Sequence, residues 1–196
     1  MRAGWTTLIL LGAAVCAQGE PKDITIPSPV GKWVFEAKWH PGHPVGYTWN
    51  LKNISSGKVF LADSPSRPDE TLPVRLSGSW SEDGRYLALN IYYGRIAFDV
   101  DVLGMENNRV VLTRFPRAME KSMILPDDRK RWDGSGGANS AALSWTKNDT
   151  LTVGDSMRAQ LANSDGSITR IDSSRDRTIR FTGSIGKVVS TDDPQY

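Results

Sequence analysis

The chain has 196 residues, and its 24 lysines and arginines nearly balance its 22 aspartates and glutamates. This balance excludes the concentrated basic surface on which nucleic-acid-binding proteins usually depend, so we predict no nucleic-acid partner. Beyond the N-terminal segment, no apolar stretch approaches the roughly 20 residues that cross a bilayer. We therefore predict a mature chain without a transmembrane segment, whose length suits one domain with its own core.

Residues 1–17 have the composition of a secretory signal peptide. Arg2 supplies a positive start, residues 8–15 form a short apolar stretch, and Ala17 ends a small-residue cleavage site. We predict a secreted or periplasmic protein whose mature chain begins at Gln18. Cys16 leaves an alternative open, in which cleavage before this residue produces a lipid-anchored protein.

Cys16 is the single cysteine of the sequence, so no disulfide can form within it. Small secreted domains often rely on disulfides, whereas this one must be stabilised by its core alone. The composition therefore favours a bacterial envelope or growth medium as the location.

From residue 33 onward, apolar and polar side chains alternate with the period of a half-buried β-strand. Trp33, Phe35, Ala37 and Trp39 share one face of the first such run, and residues 47–51 repeat the pattern. In residues 96–102 the apolar positions alternate with Asp99 and Asp101, which we expect on an exposed face. Further short runs of this kind lie at residues 59–61, 74–76, 86–91, 110–115, 151–153, 157–161, 168–171 and 179–181.

Turn-forming residues separate these runs, which predicts hairpins and an all-β, antiparallel fold. We predict a single-domain β-sandwich or barrel over residues 31–190, with an N-terminal extension at 18–30 and a C-terminal tail at 191–196. A short helix is predicted only at residues 117–125, between two prolines. The glycine-rich residues 127–137 are predicted to form a long surface loop.

Three segments resemble the WD40-like propeller repeats of the TolB type. Residues 79–89, Ser-Trp-Ser-Glu-Asp-Gly-Arg-Tyr-Leu-Ala-Leu, carry the resemblance most fully, and residues 28–35 and 143–151 keep parts of it. The resemblance implies a hairpin in which a buried tryptophan precedes a tight turn and a returning apolar strand. The copies lie further apart than the roughly 40 to 45 residues of a propeller blade. A small or incomplete propeller-like assembly is therefore the alternative fold.

The sequence offers little catalytic chemistry. His40 and His43 are the only histidines, and a metal site built on them would need further ligands that the spacing does not supply. No nucleophile elbow is present, and Asp99 with Asp101 are expected only to keep a strand face solvated. We therefore predict no catalytic residue, no metal and no cofactor.

Two places are candidates for ligand binding. Trp132 stands between Arg131 and Asp133, where an aromatic ring among charges suits stacking against a sugar, a peptide or a partner surface. An equally open interpretation makes Trp132 a lid anchor over the sheets. Trp39, His40 and His43 form the second candidate, in a turn after a predicted strand.

These observations predict an exported, non-enzymatic binding or structural protein that contacts a protein or a glycan. One alternative is a secreted hydrolase or carbohydrate-active protein that uses surface carboxylates with Trp39 and the two histidines. Another is a propeller-like scaffold of the envelope.

Overall fold

The computed structural model describes residues 22–41, 46–60, 75–92, 98–106, 109–115, 121–147, 149–183 and 185–196. The predicted signal peptide, Cys16 and His43 lie outside these ranges. Within them the chain forms twelve β-strands: β1 Ile24–Pro27, β2 Trp33–His40, β3 Gly46–Asn53, β4 Val59–Phe60, β5 Arg75–Trp80, β6 Tyr86–Tyr92, β7 Phe98–Glu106, β8 Arg109–Phe115, β9 Trp132–Lys147, β10 Thr150–Ala162, β11 Ile168–Thr182 and β12 Ile185–Thr191. No described helix is long and apolar enough to cross a membrane.

The strands form three antiparallel sheets, each made from four strands that are consecutive in the chain. Sheet 1 contains β1 to β4, sheet 2 contains β5 to β8, and sheet 3 contains β9 to β12. None of the three closes on itself through the described strands. The all-β antiparallel class is confirmed, and three successive four-stranded meanders are consistent with an incomplete propeller as well as with a single all-β domain.

Sheet 2 is the middle layer of the molecule. Leu87 and Leu89 of β6 join Phe35, Trp49 and other side chains of sheet 1 in one core cluster. Tyr86 and Ala88, on the other face of the same strand, pack with sheet 3 in a second cluster. Because both faces of β6 are covered, its apolar residues contribute to two interfaces, at about 1.5–3 kcal/mol for each large side chain fully buried.

The middle position of sheet 2 corrects the prediction for the carboxylates of β7. Asp101 is only 3% exposed, although its alternation with Val100 and Val102 predicted a solvated face. Val100 and Val102 pack toward sheet 3, which turns Asp101 toward the side covered by sheet 1. The alternation of polar and apolar residues was recognised correctly, but the second sheet that covers the polar face was not predicted.

The segments that resemble propeller repeats occupy matching turns. In the β1–β2 turn, Ser28 Oγ accepts a hydrogen bond from Trp33 N at 3.0 Å, and in the β5–β6 turn Ser81 Oγ accepts one from Tyr86 N at 3.0 Å. A glycine lies three residues after each serine, with φ of 65° in the first turn and 66° in the second, a conformation that side chains rarely adopt. The third segment spans the β9–β10 turn, of which Asn148 is not described.

One tryptophan hydrogen bond joins sheet 2 to sheet 1, and another joins sheet 3 to sheet 2. Trp80, the last residue of β5, donates its indole N–H to the carbonyl of Ile26 in β1 at 3.1 Å. Trp145 of β9 donates in the same way to Ser79 in β5 at 3.0 Å. We call these two contacts the indole bridges. In both bridges the donor is the tryptophan just before a turn, and the acceptor lies two residues before the turn serine of the preceding sheet. The segments that resemble propeller repeats therefore occupy equivalent positions in their sheets.

The loop predicted at residues 127–137 is corrected in its second half, because only residues 127–131 form turns and the rest belongs to sheet 3. Strand β9 begins at Trp132 and pairs with β10 through the glycine-rich stretch, opposing Gly136 to Ala159. A Cβ atom at Gly136 would lie 2.1 Å from the carbonyl oxygen of Arg158, so glycine permits a close approach of two strands here. Of the helix predicted at 117–125, the described part contains only a 3-10 turn at Lys121–Met123.

Both ends of the described chain are paired, which the sequence did not indicate. Strand β1 lies in the segment predicted to be an extension and pairs with β2, opposing Ile26 to Phe35. In the predicted tail, Gln195 exchanges two backbone hydrogen bonds with Ser174 of β11, at 2.7 and 2.9 Å.

Candidate binding face on sheet 1

Sheet 1 has one face against sheet 2 and one face directed away from it. Phe35 and Ala37 of β2 point into the core between the sheets, so Glu36 and Lys38 point outward. The same alternation on β3 buries Trp49 and leaves Thr48 exposed. We call this outward surface the sheet 1 face; its polar residues are Asp23, Thr25, Glu36, Lys38, His40, Thr48 and Asn50.

Strand register aligns these polar residues in rows across three strands. Thr25 of β1 opposes Glu36 of β2, which in turn opposes Asn50 of β3. Lys38 opposes Thr48 in the neighbouring row. Opposed side chains on one face lie about 4.5–5.5 Å apart at Cβ, so carboxylate, ammonium, hydroxyl and amide groups stand within reach of one small ligand.

A groove of about 420 Å³ runs over the sheet 1 face. Its polar lining comes from Asp23, Thr25, Glu36, Lys38, Thr48 and Asn50. A site that combines donors and acceptors at fixed spacing on a rigid sheet can orient a polar ligand by hydrogen bonds. The arrangement is suited to a ligand rich in hydroxyl groups.

Two of the residues predicted from sequence lie beside this groove. His40 Nε2 lies 2.7 Å from the Thr48 hydroxyl, and the backbone N–H of Trp39 donates to the Asp23 carboxylate at 2.9 Å. The half-buried Trp39 ring meets Tyr47 edge to face, with centroids 4.9 Å apart. These contacts fix the strand ends that border the groove.

Burial raises the pKa of the Tyr47 hydroxyl, and the nearby Asp23 carboxylate raises it further. The hydroxyl donates to the carbonyl of Lys22 at 2.9 Å. Tyr47 therefore stays neutral near pH 7 and acts as a structural tie between β3 and the segment that leads into β1.

The amide oxygen of Asn50 is buried and has no hydrogen-bond partner. Leaving a buried acceptor unsatisfied costs about 1–3 kcal/mol, so such groups in a folded protein require an explanation. Asn50 also lines the groove. Among the described residues that line the groove, Asn50 and Trp49 each carry a buried polar atom without a partner.

The structure does not bring the second predicted site to this face. Arg131, Trp132 and Asp133 lie where β9 begins, in sheet 3, and sheet 2 separates sheet 3 from sheet 1. The two predicted sites are therefore separate places in the fold, and Trp39 and His40 border the groove. The groove residues themselves were missed, although the polar halves of two alternating strands are the signal that would have found them.

The Arg131 to Asp133 segment is held by local contacts. Trp132 is half-buried against a cluster that contains Met123 and Met157, and its indole donates to the Ser135 carbonyl at 2.8 Å. Arg131 bonds both Asp128 and Asn163. Hydrogen bonds from Ser135 lower the pKa of the Asp133 carboxyl. These contacts match the lid-anchor interpretation of Trp132, and a binding role for the segment stays a prediction.

A buried charge cluster in sheet 3 was not predicted from sequence. The carboxylate of Asp155 on β10 accepts a hydrogen bond from Arg177 at 2.8 Å and one from Ser140 at 2.7 Å, and Arg175 Nε lies 3.5 Å from it. Arg175 also donates to Ser122 at 3.1 Å, which ties the segment before β9 to the sheet. This charge cluster separates the two apolar clusters that contain residues of sheet 3.

The described ranges contain no cluster of side chains suited to binding a metal ion. No group of three or more histidine, cysteine, aspartate or glutamate side chains there could hold an ion. His43, the second histidine considered for such a site, is outside those ranges.

Comparison with known proteins yields little. No protein-family model matches the chain, and no curated protein matches it significantly. Among solved structures, it is similar to the periplasmic gluconolactonase PpgL of Pseudomonas aeruginosa, with 12% sequence identity and a TM-score of 0.30. The likeness covers 86% of this chain and 69% of that chain. At this TM-score it carries no argument about the function of this chain.

Proposed function

We propose that the protein is an exported, non-enzymatic binding protein whose sheet 1 face contacts a glycan. The observation that carries the proposal is the groove lined by aligned polar side chains, among them Asn50 with its unsatisfied buried oxygen. Sugar hydroxyls both donate and accept hydrogen bonds, so a row of carboxylate, amide and hydroxyl groups can pair with several of them. Export is the expectation from residues 1–17.

The rigidity of sheet 1 supports this proposal. The groove rests on β1, β2 and β3, whose inward apolar residues belong to the core cluster between sheets 1 and 2 or pack against it. Positions fixed by strand pairing lose little conformational freedom when a ligand binds, which favours affinity. A glycan is preferred over a protein partner because a groove of about 420 Å³ suits a few sugar rings and is small for a protein interface.

An oligosaccharide panel measured by calorimetry tests the proposal. Asn50→Ala and Glu36→Ala should each weaken binding about fivefold or more, because each removes a hydrogen-bonding group worth about 1 kcal/mol or more. Ser156→Ala, on the exposed surface of sheet 3, is the matched control and should bind as the unaltered protein does.

Three results would contradict the proposal. They are absence of binding across the panel, equal loss in Ser156→Ala, and cleavage of a bound oligosaccharide. Loss in Trp132→Ala with full binding in Asn50→Ala would transfer the site to the Arg131 to Asp133 segment.

A further inference from the structure

A row of basic side chains crosses the outer face of sheet 3, the face turned away from sheet 2. Ile179 and Phe181 of β11 pack toward sheet 2, so the exposed Arg180 between them points outward. The strand register places four residues in line across the sheet: Lys147 of β9, Thr150 of β10, Arg180 of β11 and Lys187 of β12. We call this line the basic row, and its charged side chains are all exposed.

The basic row breaks a pairing rule that another row of the same face obeys. Arg158 directly opposes Asp172, and the two side chains form an ion pair at 2.7 Å. Arg180 directly opposes Lys187 instead, and within the described ranges neither of them has an acidic ion-pair partner. Like charges at directly opposed positions destabilise a sheet, and residues that cost stability in this way are typical of functional sites.

Two carboxylates at this end of the molecule do not neutralise the basic row. Asp149, in the turn before β10, accepts a hydrogen bond from the Thr150 hydroxyl at 2.9 Å. Glu106 of sheet 2 approaches the β11–β12 turn at Gly183, but it opposes Arg109 in its own sheet. The three cations of the row against Asp149 therefore leave an excess of two positive charges.

A row of hydroxyl groups runs beside the basic row, one outward position further along each strand. Thr152 opposes Ser144 on one side and Thr178 on the other, and Thr178 opposes Ser190. Neighbouring strands lie about 4.7–4.9 Å apart, so each row spans roughly 14 Å. The face thus presents positive charges along one line and hydroxyl donors and acceptors along the next.

We propose that the basic row and the hydroxyl row form a second binding surface, for a linear polysaccharide that carries a carboxylate on each sugar. Its carboxylates pair with Arg180 and Lys187 through charge-assisted hydrogen bonds, and its hydroxyls pair with the hydroxyl row. The surface lies on the far side of sheet 2 from the groove, so it does not depend on the function proposed for sheet 1.

Other anionic partners fit this surface less well. Proteins that bind duplex nucleic acid tightly neutralise on the order of 6–10 phosphates, which an excess of two charges does not match. Segments that bind anionic membranes cluster about 4–8 lysines and arginines. A flat face with hydroxyl groups beside a few charges suits a chain that itself alternates hydroxyl and carboxylate groups.

Calorimetry with oligogalacturonate and with its fully methyl-esterified form tests the proposal at pH 7, where the free uronic acid is ionised. The ionised oligomer should bind about tenfold or more tightly than the ester, and added salt should weaken it. Arg180→Gln and Lys187→Gln should each weaken binding about fivefold. Arg158→Gln, whose charge is paired on the same face, is the control and should bind as the unaltered protein does.

Thermal denaturation of the same variants shows whether the basic row is structural. Removing one of two opposed like charges should leave the unfolding midpoint unchanged or raise it. A lower midpoint in both Arg180→Gln and Lys187→Gln would show that these side chains stabilise the sheet, and the inference would fail.

A groove variant separates this surface from the proposed function. Asn50→Ala should bind oligogalacturonate normally; if it loses binding, the oligomer occupies the groove and the second surface is refuted. Equal binding of the ionised and esterified oligomers, equal loss in Arg158→Gln, or binding only to DNA or phosphatidylglycerol vesicles refutes it as well. Absence of binding by every uncharged sugar would contradict the proposed function and leave this inference standing.

Discussion

Asp155 shows how much one buried carboxylate can determine. It is 2% exposed, and its carboxylate forms ion pairs with both Arg175 and Arg177, which are 8% and 9% exposed. Removing one member of a buried ion pair leaves an uncompensated charge, which costs far more than the pair itself contributes. Asp172, three register positions further along the same strands, forms an ion pair with Arg158 in which both side chains are 67% exposed.

We expect Asp155→Ala to lower the free energy of unfolding by about 3–5 kcal/mol, because two arginines lose their shared carboxylate. Asp172→Ala should change it by less than about 1 kcal/mol, since water screens the exposed pair. Urea denaturation followed by tryptophan fluorescence measures both. Equal effects of the two substitutions would show that the buried cluster is not a stabilising contact.

At the scale of elements, the indole bridges connect strands that are far apart in sequence. Trp80 lies 54 residues after its acceptor and Trp145 lies 66 residues after its own. Asn90 adds a second connection between sheets 2 and 3, since its side-chain oxygen accepts from Ala142 N at 2.7 Å and its amide donates to the carbonyl of the same residue. This pairing satisfies backbone groups beside a register shift of β9 against β10.

Trp80→Phe and Trp145→Phe should each lower the free energy of unfolding by about 0.5–1.5 kcal/mol more than Trp39→Phe does. All three changes shrink a partly buried ring, but only the first two remove an indole hydrogen bond to a neighbouring sheet. Thermal denaturation of the three variants makes the comparison. A loss as large in Trp39→Phe would refute the role of the bridges.

At the scale of the whole molecule, sheet 2 links the two outer sheets. Leu89 of β6 is fully buried toward sheet 1, while Ala88 beside it packs toward sheet 3. The outer sheets contact each other through this layer, so loss of sheet 2 exposes apolar surface on both. The structure therefore favours unfolding of the three sheets together rather than one by one.

Hydrogen exchange should protect the amides of β6 more than those of β1, the edge strand of sheet 1. Leu89→Ala should destabilise the protein by about 2–5 kcal/mol through the cavity that it leaves, and the unfolding transition should remain single. Separate transitions for sheets 1 and 3, recorded by exchange at increasing denaturant, would contradict this coupling.

The sequence predicted strand positions well where alternation was strong. The runs at 33–39, 47–51 and 86–91 lie in β2, β3 and β6, and the segments that resembled propeller repeats lie at matching turns. The sequence-based prediction was wrong at β9, where the glycines suggested a loop. Glycine also allows two strands to approach closely, so such a strand can have the composition of a turn. Trp39 and His40 were found beside the groove, while Glu36 and Asn50 were overlooked as ordinary outward residues of their strands.

What the sequence alone determined is local: which residues alternate, where a serine and a glycine allow a turn, and hence the all-β class. Only the tertiary structure decided that Asp101 is buried, that Glu36 remains on an outer face, and that Asp155 meets two arginines. The physical reason is that alternation separates the two faces of a strand without stating what covers either of them. That depends on how the sheets stack, through contacts between residues more than fifty positions apart.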